Sequence, residues 1–335
     1  MASIPSDMST PQAVMVSEGF WRRHGADLQR LVGSRLDIHI FPNQQGQPDL
    51  PLNDVVCAFW SVDAFENAHW ETPLANAANL RWLHVFTAGS DHPLLGSLQS
   101  RGVQISTSAG ANAKAVAHSV LAAVLGFARR MPRYAKDQRE HRWRHLAPEA
   151  PPELDTTTAT ILGMGSIGLE IARLCQAFGI HTIGVRRRAR PTEYCDEVCA
   201  SAKLHEVLPR TDWLIVACPL TPQTDGWIDA KALSLLPAHA HVINIARGRV
   251  IVEQDLIHAL RRQSIAGAYC DVFETEPLPD DSPLWDLPNV LVSPHSAGVS
   301  QAFAPNGAKL FLANLQRWLD HQPLLNLAPG RDAVE

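Results

Sequence analysis

The sequence predicts an α/β protein with two parallel-sheet domains, the second inserted near the end of the first. Three observations lead to this prediction. Short apolar, β-branched runs alternate with helical patterns, a charged and then proline-rich stretch at 133–155 interrupts the alternation, and a second alternating series follows. With 335 residues, of which 46% are hydrophobic and 19% charged, the chain is long enough for two separate cores.

The first series contains five predicted strands and ends in a long helix. The strands are QAVMVS (12–17), LDIHIF (36–41), DVVCAF (54–59), WLHVFT (82–87) and VQIST (103–107). The Ala-, Leu- and Val-rich stretch 112–131 predicts one continuous helix, and 133–155 is interpreted as a linker between the domains.

The second series contains six predicted strands, followed by an amphipathic helix over 304–323. The strands lie in TTTATILGMGSIG (156–168), HTIGV (181–185), DWLIVAC (212–218), HVINIA (241–246), GAYCDVF (267–273) and NVLVSP (289–294). No repeat of fixed period and no low-complexity tract is visible in the sequence.

Composition argues against several classes of partner. The net charge of −5 and a pI of about 6.3 provide no positive field for nucleic acid or an acidic membrane. The basic, aromatic segment EHRWRHL (140–146) is therefore interpreted as a solvated loop. The amino terminus lacks a secretory pattern and no long apolar run occurs, so a cytoplasmic location is expected. Six dispersed cysteines favour reduced thiols, and CDEVC (195–199) lacks the second pair that a metal site requires.

A glycine turn opens the second series. Gly163, Gly165 and Gly168 in GMGSIG (163–168) directly follow a predicted strand and precede a predicted helix. In that context the glycines allow a tight turn, close approach of the backbone to a pyrophosphate, and close helix–strand packing. The pattern predicts a dinucleotide site that includes Ser166 and Ile167. The alternative is a glycine-rich turn that binds no ligand.

Three arginines end the next predicted strand. Arg186 lies 186 − 168 = 18 positions after the last glycine, where an NAD-binding fold places a carboxylate for the ribose 2′-OH. Because a guanidinium pairs with a phosphate, Arg186, Arg187 and Arg188 predict NADP(H), with NAD(H) possible. The alternative is a solvated basic loop that tolerates either cofactor.

Three reactive side chains follow successive predicted strands: Arg247 in NIARGRVI (244–251), Glu276 in DVFETEPLP (271–279) and His295 in SPHSAG (293–298). Together they favour reduction of a carbonyl. Arg247 can bind a keto-acid carboxylate, His295 can donate a proton, and Glu276 can orient His295. Any one of them alone is more often a structural residue.

With these motifs the chain resembles the D-isomer-specific 2-hydroxyacid dehydrogenases, in particular glyoxylate/hydroxypyruvate reductases. TAGSDH (87–92), NAKAVAHSVL (112–121) and ACPLTPQT (217–224) add to the resemblance. It implies two Rossmann-like, doubly wound domains, with a cofactor domain (111–299) inserted into a flavodoxin-like substrate domain (1–110 and 300–335). It also implies an active site in the cleft between the domains, and a homodimer joined through the cofactor domain.

The same resemblance implies roles for individual residues. Arg247, Glu276 and His295 form the catalytic trio, and backbone N–H groups at Ala88 and Gly89 bind the substrate carboxylate. Asp271 contacts the nicotinamide carboxamide. The other residues implied to lie along the cofactor are Cys218, Pro219, Thr224, Ala246 and Val116.

Four positions raise separate points. Arg186 and His118 depart from the family pattern, since acidic residues usually occupy both places. Trp60 ends a predicted strand, and it is expected either to narrow the pocket in favour of small keto acids or only to pack. Trp143 is a weak candidate for reaching the site from a partner subunit.

The function predicted from the sequence is therefore NADPH-dependent reduction of a small 2-keto acid to the D-2-hydroxy acid, with His295 as general acid and no metal. One alternative is a nucleotide-binding sensor of the same fold, as in the corepressors that resemble this family. Another is a methyltransferase, which would leave the arginines without a partner. The sequence leaves open the substrate, the direction and the strictness for NADPH.

Overall fold

The computed structural model describes residues 11–42, 50–65, 68–89, 92–145, 150 and 152–328. The chain divides into two compact units: one runs to Ala111 and resumes at Gln301, and the other is Asn112–Ser300. Which unit binds the cofactor and which the substrate stays a prediction.

The first unit contains a parallel five-stranded sheet. Its strands are β1 (Ala13–Ser17), β2 (Asp37–Phe41), β3 (Val55–Trp60), β4 (Trp82–Val85) and β5 (Gln104–Thr107). They lie in the order β2-β1-β3-β4-β5, which is the flavodoxin-like order. The helices that connect them are α1 (Glu18–Val32), α2 (Val62–Phe65), α3 (Glu71–Asn76) and α4 (Pro93–Ser100).

The second unit contains a parallel seven-stranded sheet. Its strands are β6 (Thr158–Leu162), β7 (His181–Arg186), β8 (Glu197–Ala200), β9 (Trp213–Val216), β10 (His241–Asn244), β11 (Gly267–Cys270) and β12 (Val290–Val292). The order β12-β11-β10-β9-β6-β7-β8 is the dinucleotide-binding order with one added strand, and the chain order reverses between β9 and β6. The helices are α5 (Ala113–Ala128), α6 (Met131–Arg139), α7 (Ser166–Ala177), α8 (Leu204–Val207), α9 (Ala230–Ser234) and α10 (Glu253–Arg261).

The last helix, α11 (Phe303–Leu319), returns to the first unit. Its Phe311 is fully buried and stacks on Phe59 of β3, with ring centroids 4.6 Å apart and an angle of 9° between the rings. Phe20 of α1 meets the Phe311 ring edge-on at 5.4 Å. Burial of these aromatic side chains, each worth about 1.5–3 kcal/mol, explains why the predicted amphipathic helix docks here.

The prediction of one helix over 112–131 is wrong, because α5 ends at Ala128 and α6 begins at Met131. Arg130 between them has a left-handed backbone with φ of 57°. A proline inside a continuous helix lacks the N–H for its hydrogen bond and clashes with the preceding turn, whereas at a helix start it fits. Pro132 occupies such a starting position in α6.

The prediction that 133–155 joins the two domains is also wrong, since this stretch lies within the second unit. Its charged residues are largely the exposed face of α6 and the chain that follows. Charge composition reports solvent exposure, and a solvated helix has the same composition as a linker.

All eleven predicted strands form, and a twelfth, β8, was missed. β8 pairs with β7 in the register Ile183↔Glu197 and lies at the sheet edge, where all four of its residues are half-buried. An edge strand of four residues has neither the apolar run nor the alternation that predicts strands.

The predicted fold class is confirmed: two doubly wound parallel-sheet units, one inserted in the sequence of the other. In the described ranges, no helix has the length and apolar character needed to cross a membrane.

Candidate active site

The candidate residues of the second unit follow one edge of its sheet. Because the seven strands run parallel, their carboxyl ends lie along the same edge. Open α/β sheets bind ligands at that edge, near the point where strand order reverses. In the spatial order of the strands from β12 to β7, the residues at the strand ends are His295, Glu276, Arg247, Cys218, Gly163 and Arg186.

The glycine turn between β6 and α7 requires glycine at two positions. Gly163 has φ of +98°, and a Cβ on it would lie 2.7 Å from the Cα of Cys218. A Cβ on Gly168 would lie 2.0 Å from the carbonyl oxygen of Gly163. The turn is therefore as tight as a dinucleotide-binding turn demands.

Gly165, in contrast, faces open space, with no atom within 4 Å of an added Cβ. It is the N-cap of α7 and supplies no side-chain cap, so Ser166 and Ile167 begin the helix with uncapped N–H groups. Uncapped N–H groups and the positive end of a helix dipole attract phosphate. The turn fits a pyrophosphate that approaches along Gly165.

The arginines at the end of β7 are exposed or half-buried. Arg186 is half-buried, and Arg187 and Arg188 are exposed. None of the three pairs with a carboxylate in the part of the chain that the structure describes. Their charge is thus available to an external anion.

A compact turn follows β9. Thr224 Oγ1 donates to the carbonyl oxygen of Pro219 at 2.7 Å and accepts from the N–H of Thr221 at 2.8 Å. Burial raises the pKa of the Cys218 thiol to about 11, so this thiol stays protonated and is not a nucleophile at neutral pH. Cys218 and Pro219 therefore offer a shaped, uncharged wall beside the glycine turn.

The loop after β10 carries Arg247 and is held by a buried side chain, Asn244. Asn244 Nδ2 donates to the carbonyl oxygen of Arg247, and its Oδ1 accepts from the N–H of Ala246, both at 3.1 Å. The half-buried Arg247 donates from Nη1 to the carbonyl oxygen of Ala246 at 2.8 Å. Asn244 was not among the predicted site residues, although its place three residues before Arg247, in Asn-Ile-Ala-Arg-Gly, was a usable signal.

Glu276 and His295 are brought together by the loops after β11 and β12. Nδ1 of His295 lies 2.7 Å from Glu276 Oε2, and Glu276 Oε1 accepts from the N–H of Phe273 at 3.0 Å. His295 has φ of 50°, a left-handed backbone that is rare outside glycine and typical of functional sites. Nε2 of His295 makes no hydrogen bond with any described residue, and the ring is 51% exposed, so Nε2 can meet a substrate.

Asp271 shapes the loop that carries His295. Its buried carboxylate accepts hydrogen bonds from Ser293 Oγ and from the N–H groups of Ser296 and Ala297, the last two at 2.8 and 3.0 Å. The carbonyl oxygen of Asp271 accepts from the N–H of His295 at 2.8 Å. Both carboxylate oxygens of Asp271 thus accept hydrogen bonds from the loop 293–297. The contact of Asp271 with a nicotinamide carboxamide stays a prediction.

Helix α5 supports the same loop. Ser119 Oγ donates to the carbonyl oxygen of Ala297 at 3.0 Å. Val116, one turn earlier, is 4% exposed and packs in the core. His118 points to solvent, so its replacement of the usual acidic residue leaves the core of α5 unchanged.

In the first unit, Ala88 and Gly89 form a bend after β4. Thr87 Oγ1 donates to the carbonyl oxygen of Gly89 at 2.7 Å, and the Thr87 carbonyl accepts from the N–H of Ser108 at 2.9 Å. Ser90 and Asp91 lie outside the described residues. The bend is tied to the chain after β5, which fixes the direction of its backbone.

The two tryptophan candidates differ in exposure. Trp60 is 3% exposed and meets the His92 ring edge-on at 5.1 Å, so it lies in the core of the first unit. A role for Trp60 in limiting substrate size stays a prediction. Trp143 is 90% exposed beside His145 and is fully available to a partner.

The chain is similar to known proteins in both sequence and structure. A family model described as D-isomer specific 2-hydroxyacid dehydrogenase, NAD binding domain, matches residues 121–297. The mouse glyoxylate reductase/hydroxypyruvate reductase is 31% identical over 224 residues, or 66% of this chain and 68% of the mouse protein.

Two solved structures match almost the whole chain. A D-isomer specific 2-hydroxyacid dehydrogenase from Xanthobacter autotrophicus Py2, in complex with NADPH and MES, has a TM-score of 0.80 and 29% identity, covering 97% of this chain and 100% of its own. An NADPH-dependent glyoxylate/hydroxypyruvate reductase from Sinorhizobium meliloti, in complex with NADP and sulfate, has a TM-score of 0.76 and 27% identity, covering 95% and 98%.

Proposed function

The chain belongs to the D-isomer-specific 2-hydroxyacid dehydrogenase family, and on that premise we propose that it is an NADPH-dependent reductase of glyoxylate, hydroxypyruvate or a similarly small 2-keto acid. Membership makes it an NAD(P)-dependent oxidoreductase. The observation that carries the proposal is the 2.7 Å contact between His295 Nδ1 and Glu276 Oε2. These residues follow β12 and β11, and the neighbouring strand β10 is followed by the loop of Arg247.

The residues of the second unit fit NADPH. The glycine turn and the uncapped start of α7 would hold its pyrophosphate, and Arg186, with Arg187 and Arg188 beside it, would hold its 2′-phosphate. When bound, the cofactor supplies a hydride. NADH lacks the 2′-phosphate, so we expect it to bind more weakly.

The protein residues supply charge and a proton. Arg247 binds the carboxylate of the keto acid and polarises its carbonyl. His295 donates a proton from Nε2 to the carbonyl oxygen, which becomes the hydroxyl of the D-2-hydroxy acid. Glu276 accepts the Nδ1–H of His295, and this contact fixes the orientation of the ring so that Nε2 faces the substrate.

The first unit would supply the remaining carboxylate contacts. The resemblance to the family assigns the backbone N–H groups of Ala88 and Gly89 to this carboxylate, and their chain is tied to Thr87 and Ser108 by hydrogen bonds. The preference for small keto acids is supported by the names of the relatives, both of which reduce glyoxylate and hydroxypyruvate.

Two further properties complete the proposal. All six cysteines lie in described residues and are free thiols, as expected in the reducing cytoplasm. The proposal includes a homodimer, as the resemblance to the family implies, and the 90% exposed Trp143 is a candidate for contact with the partner subunit. Light scattering of the purified protein measures the mass, and a monomer at micromolar concentration would refute the dimer.

The test is NADPH oxidation with glyoxylate, hydroxypyruvate and bulky branched or aromatic keto acids. We expect the highest kcat/KM with the two small acids and a loss of ~10²–10⁴-fold in kcat for His295→Asn, with NADPH affinity retained. Preference for the bulky acids would refute the substrate assignment. NADPH binding without turnover of any acid would favour a sensor.

A further inference from the structure

The loops that carry Arg247 and Glu276 touch through their backbones. A Cβ on Gly248, next to Arg247, would lie 1.8 Å from the carbonyl carbon of Phe273 and 2.3 Å from the nitrogen of Glu274. Real side chains never approach backbone this closely, so the contact exists only because residue 248 is glycine. The position of one loop is therefore set by the other.

Two glutamates join the same loops by reciprocal hydrogen bonds. The N–H of Glu253 donates to Glu274 Oε1 at 3.0 Å, and the N–H of Glu274 donates to Glu253 Oε2 at 3.1 Å. Glu253 is the first residue of α10, whose N-cap, Val252, offers no side-chain acceptor. Glu274 thus caps the helix from a separate loop and places negative charge at its positive end.

The pair connects directly to the proposed catalytic groups. Phe273, the neighbour of Glu274, donates its N–H to Glu276 Oε1 at 3.0 Å. Glu276 Oε2 then lies 2.7 Å from His295 Nδ1. A shift of Glu274 would therefore move the backbone donor that orients Glu276, and with it the imidazole of His295.

A contribution to folding stability does not by itself explain why the two glutamates are paired. Burial and the negative charge of Glu274 raise the pKa of Glu253, so the ionised pair is partly unfavourable. What offsets the repulsion is that each carboxylate accepts a backbone N–H. The arrangement yields fixed geometry between two loops more than it yields folding free energy.

We propose that Glu253 and Glu274 are positioning residues that hold the Arg247 loop in register with Glu276 and His295. This inference rests on the proposed function, because it assumes that these three side chains act on the substrate. Neither glutamate is expected to touch substrate or cofactor.

The experiment compares Glu274→Ala and Glu274→Gln with a matched control, Asp255→Ala. Asp255 is also in α10 and also accepts a backbone N–H, that of Ala230 at 2.8 Å, but among the described residues it forms no hydrogen bond with the Glu276 loop. For glyoxylate with NADPH we expect Glu274→Ala to lose ~10–100-fold in kcat/KM, with a raised KM because the Arg247 loop shifts and a lowered kcat because Glu276 and His295 shift. Glu274→Gln keeps an acceptor and should stay within ~3-fold of the parent. Asp255→Ala and the NADPH Kd of every variant should be near parental.

Amide hydrogen exchange provides a readout independent of turnover. Glu274→Ala should lose protection over 247–253 and 272–277, whereas Asp255→Ala should not. Equal kinetics and equal exchange for the two alanine variants would overturn the inference. A Glu274→Gln variant as impaired as Glu274→Ala would also overturn it, since charge and not the hydrogen bond would then matter. If the parent turns over no keto acid, the proposed function fails, and the exchange pattern still decides whether the loops are coupled.

Discussion

Replacement of Arg186 by alanine should abolish the preference for NADPH over NADH. Arg186 ends β7 at the edge where the glycine turn opens; the residue is half-buried, and it pairs with no described carboxylate. The 2′-phosphate is the only chemical difference between the two cofactors. An interaction with that phosphate therefore appears entirely in the ratio of the two kcat/KM values.

The burial of each arginine determines the expected magnitude. A charge-assisted hydrogen bond from a partly desolvated group contributes ~1.5–3 kcal/mol, which is about 10- to 150-fold in the ratio for Arg186→Ala. Arg187 and Arg188 are exposed, so water and salt screen them. Each should contribute ~0–1 kcal/mol, or at most about 5-fold.

The assay is steady-state oxidation of NADPH and of NADH at saturating glyoxylate, for the parent and the single alanine variants of Arg186, Arg187 and Arg188. Arg190→Ala serves as control, because this exposed arginine belongs to the same loop but lies beyond the strand end. Arg190→Ala changes the net charge by the same amount as each of the other alanine variants. The kcat/KM for NADH should be almost constant across the set.

Three results would refute the reasoning. Equal use of both cofactors by the parent would leave the arginines as a solvated loop. A fall in the NADPH/NADH ratio as large for Arg190→Ala as for Arg186→Ala would make the effect one of total charge. A larger fall in the NADPH/NADH ratio of kcat/KM for Arg187→Ala than for Arg186→Ala would place the 2′-phosphate beyond the end of β7.

Four other predictions concern glycine packing, the Arg247 loop and a buried histidine. Gly168→Ala places a Cβ 2.0 Å from the Gly163 carbonyl and should cost ~1–3 kcal/mol of stability and at least tenfold in NADPH affinity. Gly126→Ala in α5, where the added Cβ meets nothing within 4 Å, should instead stabilise the fold by ~0.5–1 kcal/mol. Thermal melts measure the stability of both glycine variants, and NADPH titration measures their affinity. Parental NADPH affinity in Gly168→Ala would contradict the turn geometry. Asn244→Ala removes two hydrogen bonds between the buried Asn244 side chain and the Arg247 loop. It should raise the KM for glyoxylate and lower the free energy of unfolding by ~1–3 kcal/mol. An unchanged KM would contradict the role of Asn244 in holding this loop. His84 is fully buried between Ser106 and Ser108, and burial lowers its pKa from 6.5 to about 3. Since the unfolded chain then binds a proton that the folded one does not, stability should fall as pH decreases from 6.5 towards 3, by ~1.4 kcal/mol per pH unit. Urea unfolding at pH 7 and pH 5 should show a smaller change in the free energy of unfolding for His84→Gln than for the parent. An equal change in the two proteins would contradict this linkage.

Much of the candidate site could be predicted because its chemistry is local in the sequence. The glycine turn depends on three glycines within six residues, directly after one strand and before one helix. Arg247, Glu276 and His295 could be related to one another because each follows a strand of a parallel sheet, which places all of them at one edge. The family motifs carried the same information in the same order.

The errors arose where composition does not distinguish two structures. Charged residues over 131–139 belong to an exposed helix, and the same residues would suit a linker. The short strand β8 is half-buried at an edge and lacks any apolar pattern. Trp60 was not misassigned: its contact with His92 places it in the core of the first unit, and its role in limiting substrate size stays a prediction.

The sequence by itself determined the parallel α/β class, the glycine turn before α7, the arginines at the end of β7 and the candidate reactive side chains, because each is encoded within a few consecutive residues. The tertiary structure alone decided how those side chains are held. The contact of Gly248 with Phe273 and the reciprocal bonds of Glu253 and Glu274 join segments more than twenty residues apart. Their register depends on strand order and loop packing, which no local pattern specifies.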